Sequence, residues 1–291
     1  MKLIGVFLVL ATMQQCNLIP EHRYVKVGES LSNYDLNEFA EEIKLPPLLD
    51  EISGLAFDDS TGRVLAINDE SGVIYFVNLE SKEIDESVIF SGMGDYEGIE
   101  TYGDHIYISK SNGDLIQFNI HNKSVVEIKT LLRSANDIEG LGKHGNALLL
   151  ACKAKTSLKG VKEVKKAKAT YRYDIQAQKL DEEIYLLITD DMIVEFLQNY
   201  PEITRKMIDR AIAFSPSAIA VHPLTKEIFL LSDEGKLLIV TGEDSGIKEI
   251  HFLNKSHHFK PEGICFTADQ QLLISNEGKH RRGRIFVYDK K

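Results

Sequence analysis

Five short segments of this chain are alike, and that likeness constrains its fold more than any other feature. They are EISGL (51–55), DYEGI (95–99), DIEGL (137–141), SPSAI (215–219) and KPEGI (260–264). The third position is Glu or Ser, the fourth Gly or Ala, the fifth Ile or Leu. Third positions are spaced by 44 residues (53 to 97), 42 (97 to 139), 78 (139 to 217) and 45 (217 to 262). A period of ~40–45 residues matches one four-stranded blade of a β-propeller.

The stretches between the segments support that reading. Each segment is followed by a short apolar run: VLAI (64–67), HIYI (105–108), ALLL (147–150), IFLL (228–231) and LLI (272–274). These read as buried strands. A third, β-branched or alternating run follows, as in GVIYFV (72–77), DLIQF (114–118), TYRY (170–173), KLLIV (236–240) and RIFVY (284–288). Turn residues ending in Gly72, Gly113, Gly235 and Gly278 separate the second run from the third. A fourth run closes most units, but the last one shows no such run after Tyr288. Residues 41–45 (EEIKL) can supply it, pairing beside 284–288 and closing the ring without an exposed sheet edge. A closed ring of this kind is expected to be a monomer.

The 78-residue gap (139 to 217) holds either two short blades or one blade with an insertion. Residues 190–213 show helical spacing at Ile193, Phe196, Leu197, Ile203, Met207, Ile208 and Ala211. Asp190 or Asp191 can cap the start, and Pro201 interrupts the helix. The expected fold is therefore all-β, a propeller of five four-stranded blades with a helical insertion near 190–213; six blades is the alternative.

The amino terminus reads as an address. Residues 3–13 (LIGVFLVLATM) are almost wholly apolar, too short to span a bilayer as a helix but the length of a signal-peptide core. Cys16 follows closely, as in bacterial lipoproteins whose cysteine is lipidated, although Gln15 stands where a small residue is usual. A plain secretory signal and a buried first strand are the other readings. The domain plan is a signal peptide over 1–15, a lipidated Cys16 with a polar tether to residue 33, and a propeller over 34–291. The expected place is the bacterial cell envelope, held to the membrane by lipid alone. A net charge of −10 argues against nucleic acid as partner, because phosphate contacts need a basic face. Three cysteines are no disulfide framework, and Cys152 and Cys265 fall in non-adjacent units, so two buried free thiols are expected.

In a propeller the innermost strands surround a central channel. The repeated third position then places Ser53, Glu97, Glu139, Ser217 and Glu262 in a ring at its mouth or wall. Glu51, Asp95 and Asp137 lie nearby. The ends of the second runs add a further tier containing Asn68, Asp69, Lys110, Lys153, Asp233, Asn276 and Glu277. Three carboxylates in one narrow ring raise each other's pKa unless countered. A hard cation such as calcium, held by Glu97, Glu139 and Glu262 with Asn276 and Asp69 as further oxygen ligands, is one counter. Lys110 and Lys153 are the other. The plain structural alternative is that these acids only cap turns and that the following Gly marks a tight backbone approach. His257, His258 and His222 read as surface residues, and residues 159–168 (KGVKEVKKAK) as a solvated hairpin loop. No G-x-S-x-G elbow, P-loop or G-x-G-x-x-G occurs.

Taken together, EISGL (51–55), YEGI (96–99), IEGL (138–141) with LLACK (149–153), PSAIAVHP (216–223), and PEGICF (261–266) with ISNE (274–277) resemble the SdiA-regulated propeller family over roughly residues 45–289. The resemblance implies a β-propeller, exported or membrane-attached in bacteria, without a firmly assigned activity. Ala218 stands where Gly is expected. More distantly the pattern is similar to phytase-like and lactonase-like propellers, which use channel carboxylates and a divalent ion. Two functions follow as expectations. One is a binding module presenting an acidic channel to a small ligand or an envelope protein. The other is a calcium-dependent hydrolase of phosphoester or lactone substrates.

Overall fold

The computed structural model describes residues 23–291. The signal peptide expected over 1–15 and the lipidation expected at Cys16 lie outside the described residues. Five antiparallel sheets form the blades, each beginning at one copy of the repeated segment. The first blade is Ile52–Asp58, Arg63–Asn68, Val73–Asn78 and Glu83–Ile89. The second is Tyr96–Tyr102, His105–Lys110, Leu115–Asn119 and Val125–Ile128. The third is Ile138–His144, Ala147–Cys152 and Ala167–Asp174, with Lys179–Leu180 and Leu186–Thr189 sharing the outer position. The fourth begins with Ala218–Val221, Ile228–Ser232, Leu237–Thr241 and Ile247–Phe252. The fifth is Pro261–Phe266, Leu272–Asn276, Arg284–Tyr288 and, from the other end of the chain, Glu41–Lys44.

That last strand pairs as its sequence predicts, from Glu41 opposite Val287 to Lys44 opposite Arg284. The inner strands contact one another in a closed order around the axis, and the five-blade count replaces the six-blade alternative. The longest spacing holds one blade plus helices α1 (Asp190–Leu197) and α2 (Arg205–Ala211), with Pro201 in the break between them. The caps differ from expectation. Thr189 and Thr204, not Asp190 or Asp191, accept the first free N–H groups, from Met192 and Met207. A β-region threonine can do this because its hydroxyl oxygen reaches back over the first turn, while both aspartates already lie inside the helix.

Apolar side chains collect at the seams between blades rather than in one central core. The seam between the third and fourth blades also takes Ile193 and Leu197 of α1 and Met207 and Ala211 of α2. The helices thus fill a space that two sheets alone leave open.

The expectation of a tether as far as residue 33 does not hold for residues 25–28, which join a sheet. Val25–Gly28 is a fifth strand on the fourth blade, running from Val25 opposite Phe252 to Gly28 opposite Glu249. Two buried carboxylates hold the chain there. Glu249 accepts the Ser30 N–H at 2.9 Å and pairs with Lys26 at 2.8 Å. Glu227 accepts the Leu31 and Ser32 N–H groups at 2.8 and 2.9 Å. Only Val27 of this strand is buried, so its apolar signal was too weak to stand out against polar neighbours. Among the described residues no helix is long and apolar enough to cross a membrane.

Candidate functional site

The repeated segment has a physical cause. In the first blade the ladder steps from Ile52 opposite Asn68 to Gly54 opposite Ile67, leaving Ser53 as an extra residue. Glu97, Glu139 and Glu262 are bulged in the same way, each before its glycine. A bulge unpairs one residue and re-aims its side chain. The glycine next to it answers a different need. A Cβ on Gly98 would lie 2.6 Å from Leu141 Cβ, and one on Gly140 would lie 2.9 Å from Ile219 Cγ2. The fourth position of each of these blades therefore receives the fifth-position aliphatic of the next blade. Leu55, Ile99, Leu141, Ile219 and Ile264 close the axis, each at most 4% exposed.

Above that plug, Ser53, Glu97, Glu139 and Glu262 line a cavity of about 10 Å³. This is room for roughly one water molecule. Four of the five residues expected in the ring thus share one narrow space with the buried aliphatics, and Ser217 does not line it. The two serines serve the wall itself. Ser53 Oγ donates to the Tyr96 carbonyl at 2.8 Å and Ser217 Oγ to the Pro261 carbonyl at 2.7 Å, each tying its blade to the next.

The three glutamates are not equivalent. Glu139 accepts from Lys153 Nζ at 2.9 Å. Glu262 has Lys260 Nζ at 3.3 Å, and Lys260 also pairs with Glu277. Glu97 makes no ion pair among the described residues. Burial, Glu139, Asp95 and Glu262 push its carboxyl up to about 9. Burial also lifts Glu262, to about 7, against the pull of Lys260. It lifts Glu139 as well, with Lys153 opposing. Burial works against the charge of Lys153, yet its bond to Glu139 prevails and holds the ammonium above its usual range.

The other expected residues separate. Lys110 ends a strand opposite Tyr96 and pairs with no carboxylate among the described residues. Asp69 offers its backbone carbonyl to Tyr96 N–H at 2.8 Å. Its Oδ1 is buried without a hydrogen-bond partner, and burial, Glu51 and Glu70 raise its pKa. Asp233 pairs with Lys236. Asn276 is buried, with Nδ2 3.2 Å from His258 Nδ1, and so belongs to the packing of the fifth blade. His258 is itself buried, its Nε2 2.7 Å from Tyr288 Oη. His222 is buried against Tyr34 Oη at 3.1 Å. Both histidines were expected at the surface; tyrosine partners supply the hydrogen bonds that make their burial tolerable. Cys152 and Cys265 are buried free thiols.

Lys260 was missed as a counter-charge. The signal was available: it occupies the first position of the segment, where three other copies carry Glu51, Asp95 and Asp137.

The sequence matches the SdiA-regulated family over residues 29–280. The chain belongs to the SdiA-regulated family. No curated protein matches this SdiA-regulated chain. Among solved structures it is similar to a Xanthomonas campestris gluconolactonase, at 9% identity over 82% of this chain and 72% of that one, with a TM-score of 0.52. It is also similar to a luciferin-regenerating enzyme, at 9% identity over 84% and 92%, with a TM-score of 0.49. Kuenenia stuttgartiensis hydrazine synthase matches at 11% identity over 82% and 83%, TM-score 0.49. At such identities the likeness is one of fold, and the site of this SdiA-regulated propeller must be argued from its own residues.

Proposed function

We propose that the protein is a non-catalytic recognition module that presents the ring end of its channel to a ligand bearing a cationic group, an amine or guanidinium on a small molecule or on an envelope protein. The observation that carries this reading is the asymmetry of the ring: Glu139 and Glu262 each hold an ammonium group and Glu97 holds none. A cation placed at Glu97 supplies what Lys153 and Lys260 supply to its neighbours. Glu97 then ionises and releases its proton. The filled axis supports docking across the mouth rather than entry into the channel. A lipid anchor at Cys16, a place in the bacterial envelope and a monomeric state belong to the same reading.

The test is calorimetric titration of the purified chain with a triarginine peptide at about pH 7, in two buffers of different ionisation enthalpy. Binding with proton release, lost in Glu97→Gln, is expected. Absence of binding, or binding that moves no proton, rejects the reading.

Calcium-dependent hydrolysis of a phosphoester or lactone is the second reading, prompted by the fold shared with a gluconolactonase. The donors do not fit calcium as they stand. Lys153 and Lys260 already hold two of the three carboxylates, and among the described residues no group of three or more His, Cys, Asp or Glu side chains is placed to hold a metal ion. Millimolar calcium should accordingly leave the melting temperature unchanged, because a ligand bound only by the native state must raise it.

A further inference from the structure

The channel has a second end. Three residues past the ring position, the inner strands reach Ala56, Glu100, Gly142, Ala220 and Cys265. Four of these are small, and the second blade alone places a carboxylate there. Beyond them the five blades leave a cavity of about 260 Å³, lined by Phe57, Glu100, Lys143, Lys226 and Phe266 among others. That is just below the range of pockets that enclose drug-sized molecules, ~300–1,000 Å³.

Glu100 is held in place rather than neutralised. Its Oε1 accepts the Thr101 N–H at 2.8 Å and its Oε2 the Lys143 N–H at 2.9 Å. A carboxylate has about four acceptor sites, so each oxygen keeps one for a ligand. Burial holds the group above the usual carboxylate range, with the Lys143 charge opposing. Lys143 Nζ makes no ion pair among the described residues, and Lys226 Nζ donates only to the Pro223 carbonyl. The histidines of this end are engaged elsewhere. His144 Nε2 lies 2.6 Å from Glu243, and His222 Nδ1 accepts the Thr225 N–H at 3.1 Å. What faces a ligand is the fixed acid Glu100, the exposed carboxylate of Asp59, the ammonium groups of Lys143 and Lys226, and two phenylalanines. A simple anion would meet the acids, and a simple cation would meet both lysines. A small molecule carrying one charge of each sign satisfies Glu100 and both lysines.

We propose that this cavity is a binding site for a small zwitterion of the α-amino-acid class, with its ammonium on Glu100 and its carboxylate toward Lys143 and Lys226. The site is independent of the ring at the other end. The experiment is calorimetric titration of the full chain with each protein α-amino acid at about pH 7, then with the amine and the carboxylate counterparts of any that binds. At least one apolar amino acid is expected to bind with a Kd below about 1 mM, and its two counterparts at least about tenfold more weakly. Glu100→Gln and Lys143→Ala should each weaken binding about tenfold, while Glu97→Gln leaves it unchanged. Should Glu100→Gln fail to fold, Lys143→Ala decides alone, since that ammonium makes no hydrogen bond or ion pair among the described residues. Binding by no amino acid at about 10 mM overturns the proposal, as does binding indifferent to Lys143→Ala or equal affinity for a counterpart.

Discussion

The two ends of one channel are built from the same five strands yet carry different chemistry. At the ring end each inner strand carries a signature residue beside a buried aliphatic, and three glutamates, two of them paired with lysines, line a space of about 10 Å³. At the opposite end a single glutamate stands among small residues at the floor of a cavity of about 260 Å³. The difference teaches where function can hide in a repeat. Features that every blade needs, the bulge and the glycine that receives a neighbour's side chain, recur in the sequence. A feature that one blade alone supplies, such as Glu100, does not.

Both ends depend on ring closure, so the largest effect is expected there. Ile43 is fully buried in the closing strand. Ile43→Ala should cost about 2–5 kcal/mol, read from urea denaturation, and should weaken ligand binding at both ends together. Loss at one end alone would break the idea of a shared closed ring.

The plug comes next. Gly98→Ala brings a Cβ to 2.6 Å from Leu141 Cβ and 2.8 Å from its backbone N. A cost of about 1–3 kcal/mol is expected. A neutral result would mean that the inner strands separate easily and that the axis is not firmly closed.

The third prediction uses acidity at the ring. Glu97 has a folded-state pKa of about 9 against an ordinary 4.5. The folded protein therefore keeps a proton that the unfolded chain gives up between those values, and stability falls as pH rises across that window. Glu97→Gln removes this term, so its denaturation midpoint relative to the wild type should rise between about pH 5 and about pH 8. A constant difference would show that Glu97 is already compensated.

The smallest effects belong to the ties between blades. Ser53→Ala and Ser217→Ala each lose one hydrogen bond to a neighbouring carbonyl. Each should cost about 0.5–1.5 kcal/mol.

The fold was legible because strands of one blade repeat in order, and because residues 41–45 carry the apolar pattern that the last blade lacks. The helices announced themselves by spacing and by Pro201. Val25–Gly28 did not, since an outermost strand with one buried side chain leaves almost no periodicity. The ring residues were found by repetition, yet its charge balance was not. Lys110 and Lys153 were the expected counter-charges, whereas Lys153 and Lys260 are the ones that pair with ring glutamates. Spacing along the chain tells which residues share a level, but not which ammonium reaches which carboxylate across a narrow gap.

Glu97 is the protonated acid that holds no lysine, on a ring whose other glutamates each hold one. Carboxyl-carbon NMR of the glutamate-labelled protein, assigned through Glu97→Gln and followed through a pH titration, measures this directly. A Glu97 midpoint of about 9, moving downward when triarginine is added, is expected. A midpoint near the ordinary 4.5, unmoved by the peptide, would contradict it.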